Sequence, residues 1–223
     1  NNLSEKIMHD LSPIALFVYN RPQHTLQTLE YLKQNVLASD SKLYIFSDGA
    51  KTPQDEAKVE EVRKIIRNVD GFQSVEVIES AKNAGLANSI IAGVSKLVNE
   101  YGQVIVFEDD LISSPQTLRY FNHALDHYRE IDQVMHIGSY MFPINTTGLP
   151  ETFFFRAATS WGWATWDRAW KHFQPDIDVL LSQFDEQKKA AFAIDNTMNY
   201  WKQMQEFKTG KNNSWAIRWY ASI

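Results

Sequence analysis

Four short apolar runs in the first half of the chain alternate with segments of helical spacing, and this alternation constrains the fold more than any other feature. The runs cover residues 14–19, 43–46, 75–78 and 104–107. The first is a continuous apolar run, which is typical of a strand covered on both faces, and the other three also read as strands. We therefore expect four strands.

The segments between these runs place apolar residues three or four positions apart, as an amphipathic helix does. The three sets are Leu26, Leu29, Leu32 and Val36; Val59, Val62, Ile65, Ile66 and Val69; and Leu86, Ile90, Val94, Leu97 and Tyr101. The resulting βαβαβαβ order predicts an α/β fold of three layers, with helices on both faces of a mainly parallel, Rossmann-like sheet.

The second half of the chain is less regular and rich in aromatic residues. We expect helices near residues 187–207 and 215–220. No linker, repeat or low-complexity segment separates the two halves, so the chain is expected to form one domain over residues 1–223. Because an apolar helical pattern is still running at Ile223, we expect the natural chain to continue beyond it.

Composition excludes several classes of protein. A net charge of -5 argues against a nucleic-acid-binding protein with a broad basic face. No apolar run is long enough to cross a membrane, and no signal peptide opens the chain. The chain has no cysteine, hence no disulfide or thiolate metal site. His123 and His127 are four residues apart but lack the glutamate of a zinc-protease motif. These features predict a cytoplasmic location, which could include the inner face of the membrane.

Three carboxylates, Glu108, Asp109 and Asp110, come directly after the fourth run. Burying such charges beside a sheet is costly unless a cation compensates them, and carboxylate oxygens suit Mn²⁺ or Mg²⁺. The carboxyl ends of parallel strands form the ligand-binding edge of such sheets. The alternative is a solvated strand end that caps a helix beginning near Pro115.

Polar residues follow the other strands at the same edge. Asn20 and Arg21 follow the first run, and Arg21 could pair with a phosphate, although Pro22 also favours a simple turn. Asp48 precedes a glycine and could accept a hydrogen bond from a base or ribose, or merely form a turn. Asn83 and Asn88 flank a helix start that could hold an anion or be only a capped terminus.

Trp161, Gly162 and Trp163 form the most distinctive aromatic segment. Aromatic faces pack against the C–H faces of sugar rings, so this segment could be a sugar-stacking platform. The alternative is that these tryptophans belong to the core, as most buried tryptophans do.

Taken together, these motifs resemble those of GT-A glycosyltransferases. The resemblance includes the N-acetylglucosaminyltransferase that starts complex N-glycan branching and related bacterial sugar transferases. It spans nearly the whole chain, but only the acidic segment and the Trp-Gly-Trp segment are specific. It implies a hexosyltransferase of polysaccharide biosynthesis, with a nucleotide-sugar-binding half over about 1–112 and an acceptor-side half over about 113–223.

The resemblance also implies a donor site. Its members would be Asn20, Arg21 near the nucleotide or phosphate, Asp48 on the uracil, Asn83, Asn88, Glu108 and Asp109 on the sugar or ribose, and Trp161, Gly162 and Trp163 against the sugar. Asp110 would bind Mn²⁺ or Mg²⁺. The implied reaction moves a sugar from a nucleotide-sugar donor, UDP-linked, to a hydroxyl of a glycan acceptor.

One departure from the resembled pattern concerns the catalytic base. An acidic residue follows a late tryptophan in the branching enzyme, whereas Trp215 here is followed by Ala216 and Ile217. Asp167 is a substitute candidate, although Asp167 and Arg168 could be only an ion pair at a helix start.

There are two alternatives to a working transferase. One is a transferase-like protein that only binds a nucleotide or sugar. The other is a sugar nucleotidyltransferase, which would need a glycine-rich loop after the first strand, where this chain has Asn20, Arg21 and Pro22. The glycine pattern of NAD-binding enzymes is missing from the same place.

Overall fold

Residues 11–223 are described by the computed structural model, and within them six strands form a single sheet. The strands are β1 (Ile14–Val18), β2 (Lys42–Ser47), β3 (Ser74–Glu79), β4 (Gln103–Glu108), β5 (Ile137–Gly138) and β6 (Trp163–Trp166). Their spatial order is β3-β2-β1-β4-β6-β5. β1 to β4 are parallel, β6 is antiparallel to β4, and β5 is antiparallel to β6. The four predicted strands and the mainly parallel sheet are confirmed.

Helices connect and cover the strands. The crossovers are α1 (Pro22–Lys33), α2 (Glu56–Ile66) and α3 (Leu86–Tyr101), as the spacing predicted. The later helices are α4 (Thr117–His127), α5 (Asp167–Trp170), α6 (Ile177–Ser182), α7 (Glu186–Phe192), α8 (Tyr200–Lys208) and α9 (Trp215–Ser222). Short 3₁₀ turns occur at Ala38–Asp40 and Pro53–Asp55.

Alternate side chains of β1 enter two separate cores. Ile14 and Leu16 pack on one face with α1, α2 and α4, whereas Ala15 and Phe17 pack on the other with α3, α5 and α9. Because β1 is covered on both faces, every one of its residues is buried. A third cluster joins α6, α7, α8 and α9 around Met204.

The buried face of α1 differs from the predicted one. Leu29 and Leu32 are buried as expected, but Leu26 is 46% exposed and Val36 lies beyond the end of the helix. The face toward the sheet instead includes Thr25 and Thr28, which continue the spacing of the two buried leucines. Hydrophobicity alone therefore placed Leu26 on the wrong side and extended the helix too far.

The strand β6 was not predicted. Its four residues pair antiparallel with β4, from Gln103 opposite Trp166 to Val106 opposite Trp163. All four are buried, but Thr165 interrupts the apolar run and leaves no pattern that would mark a strand. This strand extends the sheet with aromatic residues and places the preceding residues, 160–162, beside the carboxyl end of β4.

Over residues 11–223, no helix is both long enough and apolar enough to span a bilayer.

Candidate active site

Residues that follow β1 and β4 meet at the carboxyl edge of the parallel strands. These strands pair directly, with Phe17 opposite Glu108. Arg21 donates from Nη1 to Asp110 Oδ2 at 3.1 Å, and its Nη2 contacts Asp109 Oδ1. The guanidinium thus bridges two carboxylates of the acidic segment. The structure brings together residues that the sequence separates by almost ninety positions.

The three carboxylates of this segment have different environments. Asp109 is 3% exposed, and its Oδ2 has no hydrogen-bond partner among the described residues. Burial raises its pKa, although the hydrogen bond from Arg21 opposes that effect. Burial, reinforced by the charges of Asp110 and Asp109, raises the pKa of Glu108 to about 7. The Asp110 side chain is 43% exposed and faces the solvent edge.

The charges at this edge do not balance within the protein. Three carboxylates stand against the single guanidinium of Arg21, and one buried carboxylate oxygen of Asp109 is unsatisfied among the described residues. A divalent cation fits this excess negative charge and this set of oxygen donors. In the described part of the chain, however, no three acidic or histidine side chains converge as a complete metal cage. Any cation here would need ligands from a substrate as well.

Asp48 connects two loops through four hydrogen bonds. The N–H groups of Gly49 and Ala84 donate to Oδ1 at 2.9 and 2.8 Å. The N–H of Gly85 and the side-chain amide of Asn83 donate to Oδ2 at 2.8 and 3.0 Å. Both oxygens of this buried carboxylate are therefore occupied by the chain itself. The start of α3 is held against the end of β2.

The close approach of these two loops explains why a glycine follows Asp48. A Cβ on Gly49 would lie 2.5 Å from the carbonyl carbon of Lys82, so any side chain would force the two loops apart. The helix start that the sequence analysis considered for anion binding thus has two N–H groups, those of Ala84 and Gly85, already bonded to Asp48. Asn88 bonds back to Ala84 and stays on the surface of α3.

Arg63 is a supporting residue that the sequence analysis missed. Its guanidinium donates to Ser47 Oγ at 3.2 Å and to the carbonyl of Ser80 at 2.7 Å. It thereby ties the ends of β2 and β3 together behind Asp48. Nothing in the local pattern distinguishes Arg63 from the neighbouring basic residues Lys64 and Arg67.

Asn20 contacts a second polar group beside β1. Its amide donates to Asp55 Oδ1 at 2.9 Å, and Asp55 also accepts from Thr52 Oγ1 at 2.8 Å. These bonds, that from Thr52 first, lower the pKa of Asp55. Asn20 therefore orients the loop after β2 rather than pointing at the acidic segment.

The Trp-Gly-Trp segment divides between surface and core. Trp161 is 47% exposed, whereas Trp163 is fully buried. The Trp163 ring lies between His136 and Trp215, with ring centroids 5.4 and 5.2 Å away. Gly162 permits this reversal with a φ of 74°. Trp163 has no face for a sugar, which corrects the prediction for this residue. Trp161 retains such a face.

Two clefts open on either side of Asp110 and Trp161, which line both. The larger has a volume of about 520 Å³ and extends over residues 111–114 and 139–140. The smaller has a volume of about 250 Å³ and lies between Glu108, the start of α3 and the start of α9. Trp215 lines this smaller cleft. The arrangement offers two ligands a common wall.

Asp167 lies far from both clefts. Its N–H donates to the carbonyl of Gly102, just before β4, and its carboxylate accepts from the N–H of Arg168. Asp110 follows the other end of this six-residue strand, roughly 20 Å away at about 3.3 Å per residue. Asp167 is thus a helix-start residue and is too distant to take a proton from a ligand in either cleft. This corrects the prediction that it supplies the base.

A comparison with known protein families identifies one family that this chain matches. The model of the family described as Glycosyl transferase family 2 matches residues 14–200. The chain belongs to glycosyl transferase family 2. That match covers the parallel sheet, the acidic segment, both clefts' shared wall and α7. It gives the chain a glycosyl transferase family 2 domain with a GT-A fold, and it does not extend to the narrower likeness with the branching N-acetylglucosaminyltransferase.

Solved structures similar to this family 2 chain are distant. Staphylococcus aureus TarS matches with 14% identity and a TM-score of 0.40, over 52% of this chain and 20% of TarS. Its fragment 1-349 in complex with UDP matches with 13% identity and a TM-score of 0.40, over 52% and 33%. The mannosyltransferase PcManGT from Pyrobaculum calidifontis, in complex with GDP-Man and Mn²⁺, matches with 10% identity and a TM-score of 0.49, over 95% and 71%. No curated protein matches the chain.

The chain therefore spans only a fifth to a third of the TarS chains it resembles. Likenesses this distant do not assign a nucleotide, sugar or acceptor to the family 2 domain described here.

Proposed function

We propose that this protein transfers a sugar from a nucleotide-diphosphate sugar, UDP-linked, to a hydroxyl of a glycan acceptor, with Mn²⁺ or Mg²⁺ bound at Asp110. The observation that carries the proposal is the position of Asp110, which lines both clefts beside an acidic segment with unbalanced charge. A two-substrate reaction needs such a shared wall, because the two reacting groups must approach within bonding distance.

The donor would lie across the strand ends and enter the smaller cleft. Arg21 reaches this region from the end of β1 and presents a guanidinium that suits a phosphate. Asp48 and Asn83 fix the adjacent loops, so the surface that meets the nucleotide is held rigid before binding. A rigid surface loses less conformational entropy when a ligand binds.

The acidic segment fits a divalent cation by charge and by donor type. Asp110 is accessible and would supply a direct ligand, and the buried carboxylate of Asp109 would add its negative charge behind the cation. A cation bound there would offset the negative charge that develops on the departing diphosphate. The donor phosphates would complete its coordination, as is common for Mg²⁺ and Mn²⁺.

A nucleotide series with matched variants tests the proposal. Thermal unfolding is measured with UDP, GDP and CDP, each with and without Mn²⁺, for the wild type, Asp110→Asn and Asp70→Asn. Asp70 is an exposed aspartate that pairs with Lys33 away from the clefts, so its amide variant controls for the loss of one charge. A ligand at a hundredfold excess over its dissociation constant stabilises the folded state by about 2.7 kcal/mol.

We expect UDP to raise the unfolding temperature only with Mn²⁺, in the wild type and Asp70→Asn but not in Asp110→Asn. A rise in unfolding temperature with GDP or CDP instead would identify that nucleotide, rather than UDP, as the one carried by the donor. No shift with any nucleotide, or one that survives Asp110→Asn, would remove the metal and donor site from the proposal.

A second candidate is a protein that binds the donor without turning it over. The support is that Glu108 and Asp110, both of the acidic segment, are the carboxylates among the described residues that line the two clefts. No other acidic side chain there could serve as a separate base. Incubation with a UDP-sugar and Mn²⁺ separates the two candidates. A transferase slowly hydrolyses the donor and releases UDP, whereas a pure binding protein releases none.

A further inference from the structure

We propose that the larger cleft takes an uncharged saccharide as acceptor and discriminates against sugars that carry a carboxylate or phosphate. This proposal rests on the proposed function, because it names the class of the second substrate. It is carried by the composition and packing of the cleft wall, which differ from those of the donor side.

The cleft wall lacks positive charge. Among the described residues that line it, none is lysine, arginine or histidine, and Asp110 is the single charged side chain. Glu108 and Asp109 precede Asp110 and add to the negative potential at the same end. Arg21 is turned toward Asp109 and Asp110 and is not part of the wall. A metal ion at Asp110 would be offset by the diphosphate of the donor, so an anionic sugar would still meet net negative charge.

Hydroxyl groups supply the polar part of the wall. Ser114 Oγ and Thr117 Oγ1 bond to each other at 3.2 Å, and Ser139 Oγ donates to the carbonyl of Gly162 at 3.2 Å. A hydroxyl can donate once and accept twice, so each of these groups keeps capacity for a ligand. Neutral donors and acceptors of this kind match the hydroxyls of a sugar.

Aromatic side chains supply the apolar part of the wall. Trp161 packs against Tyr140 and Phe142, with ring centroids 4.8 and 5.9 Å away and near-perpendicular planes. These contacts fix the indole, which keeps nearly half of its surface exposed. The negative face of an aromatic ring attracts the weakly positive C–H groups of a pyranose. Ile112, which is 58% exposed, extends this apolar rim.

The volume of about 520 Å³ also suits a small saccharide, since ligand sites typically have volumes of about 300–1,000 Å³. Because Trp161 and Asp110 separate this cleft from the smaller one, a sugar stacked on Trp161 would present a hydroxyl toward the donor side. The proposal thus assigns acceptor stacking to Trp161.

A matched pair of probes tests the charge preference directly. Binding of methyl β-glucoside and methyl β-glucuronide, which differ in one carboxylate, is measured by ligand-observed NMR titration with Mn²⁺ and UDP present. The same comparison is made with methyl α-mannoside and its 6-phosphate. We expect each neutral member to bind at least tenfold more tightly than its anionic partner.

Three variants locate the binding within the cleft. Trp161→Ala should weaken binding of the neutral sugars about tenfold, and Trp161→Phe should retain most of it. Ile112→Lys places a cation on the exposed rim and should shift the preference toward the anionic member of each pair. Phe154→Ala removes an aromatic ring that is 72% exposed and does not line the cleft, and it should change nothing.

Equal or tighter binding of the anionic sugars would overturn the proposal, as would binding that Trp161→Ala and Ile112→Lys leave unchanged. Failure of both neutral sugars to bind the cleft would overturn it as well. The thermal shift with UDP and Mn²⁺ is read in the same samples. A normal shift with the wrong sugar preference refutes only the acceptor assignment, whereas no shift refutes the proposed donor site.

Discussion

Arg21 donates a hydrogen bond to Asp110 at 3.1 Å, so the side chain proposed to hold a metal ion is already paired with a cation of the protein. The same guanidinium contacts Asp109. Arg21 and a divalent cation therefore compete for the same carboxylates, whereas Arg21 and a metal-bound diphosphate attract each other. The arginine should oppose binding of the metal alone and favour binding of the metal with nucleotide.

The first prediction follows from that competition. In Arg21→Gln, Mn²⁺ alone should bind about fivefold more tightly than in the wild type, because a partly exposed ion pair worth about 1 kcal/mol no longer has to be broken. UDP in the presence of Mn²⁺ should bind more weakly, because its phosphates lose a guanidinium. Calorimetric titration with Mn²⁺, then with UDP, measures both effects.

Arg67 provides the control for Arg21. It forms surface ion pairs with Glu60 and Glu79 on the far side of Asp48, so Arg67→Gln removes the same charge without touching the acidic segment. If Arg21→Gln changes Mn²⁺ binding no more than Arg67→Gln does, the bridge to Asp110 has no role in metal binding.

The second prediction concerns Asp48, whose carboxylate accepts four hydrogen bonds from within the chain. Asn at this position keeps the shape but turns an amide group toward N–H donors, which leaves buried donors unsatisfied. We expect Asp48→Asn to lower the free energy of unfolding by about 3 kcal/mol. Urea denaturation without any ligand measures this change.

The ligand-free measurement separates two roles of Asp48. A residue that only contacts uracil would leave the unliganded protein as stable as before, whereas an anchor between β2 and α3 would not. Asp132→Asn, at an exposed position, serves as the matched control. An unfolding free energy equal to that of the control would contradict the anchoring role.

The extent to which the sequence predicted this site depends on the range of the contacts. Parallel strands end at one edge, so the meeting of Arg21 with Asp109 and Asp110 follows from the strand order once the four strands are recognised. The four bonds of Asp48 could not be predicted in the same way. They depend on the course of the loop at residues 82–85, which no periodicity describes.

The aromatic half of the chain shows the same limit. Trp161 and Trp163 are two residues apart and chemically identical, yet only the pairing of β6 with β4 decides which one is buried. The contacts of His136 with Trp219 and Thr159 join three segments that are distant in the sequence. Composition signalled an aromatic cluster, and tertiary pairing assigned each ring to core or surface.

The third prediction is a pH dependence that originates from His136. Burial lowers its pKa to about 4. Trp219 Nε1–H donates to its Nδ1 at 3.1 Å, and its Nε2 lies 3.0 Å from the carbonyl of Thr159, which accepts from it. Both ring nitrogens are thus satisfied in the neutral form, and a second proton would face the indole N–H. Protonation is resisted in the folded state and not in the unfolded state.

This difference decides whether the free energy of unfolding rises or falls with pH. The folded pKa lies below the unfolded value of about 6.5, so the stability contribution is present above pH 6.5 and is lost as the pH falls toward 4. The full loss is about 3 kcal/mol. The raised pKa of Glu108 acts in the opposite direction over part of this range, so the informative quantity is a difference between variants.

His136→Gln supplies that difference, because glutamine can bond to both partners but does not titrate. Urea denaturation from pH 7 to pH 4 should show a steeper loss of stability for the wild type than for His136→Gln. His123→Gln, at an exposed position on α4, should follow the wild type. Parallel curves for the wild type and His136→Gln would mean that His136 does not control the pH dependence.

The last prediction contrasts the two tryptophans around Gly162. Trp163 is fully buried and stacks on His136 and Trp215, so Trp163→Ala leaves a large cavity and should cost about 3–5 kcal/mol of unfolding free energy. Trp163→Phe keeps a ring in the stack and should cost less. Trp161→Ala should cost less than about 1 kcal/mol, because nearly half of this side chain is exposed.

Urea denaturation of the three variants, with saccharide binding measured in parallel, separates the roles. Loss of binding without loss of stability at Trp161, and the reverse for Trp163→Phe, would establish one ring as a ligand surface and the other as core. An equal loss of stability for the two alanine variants would contradict that division.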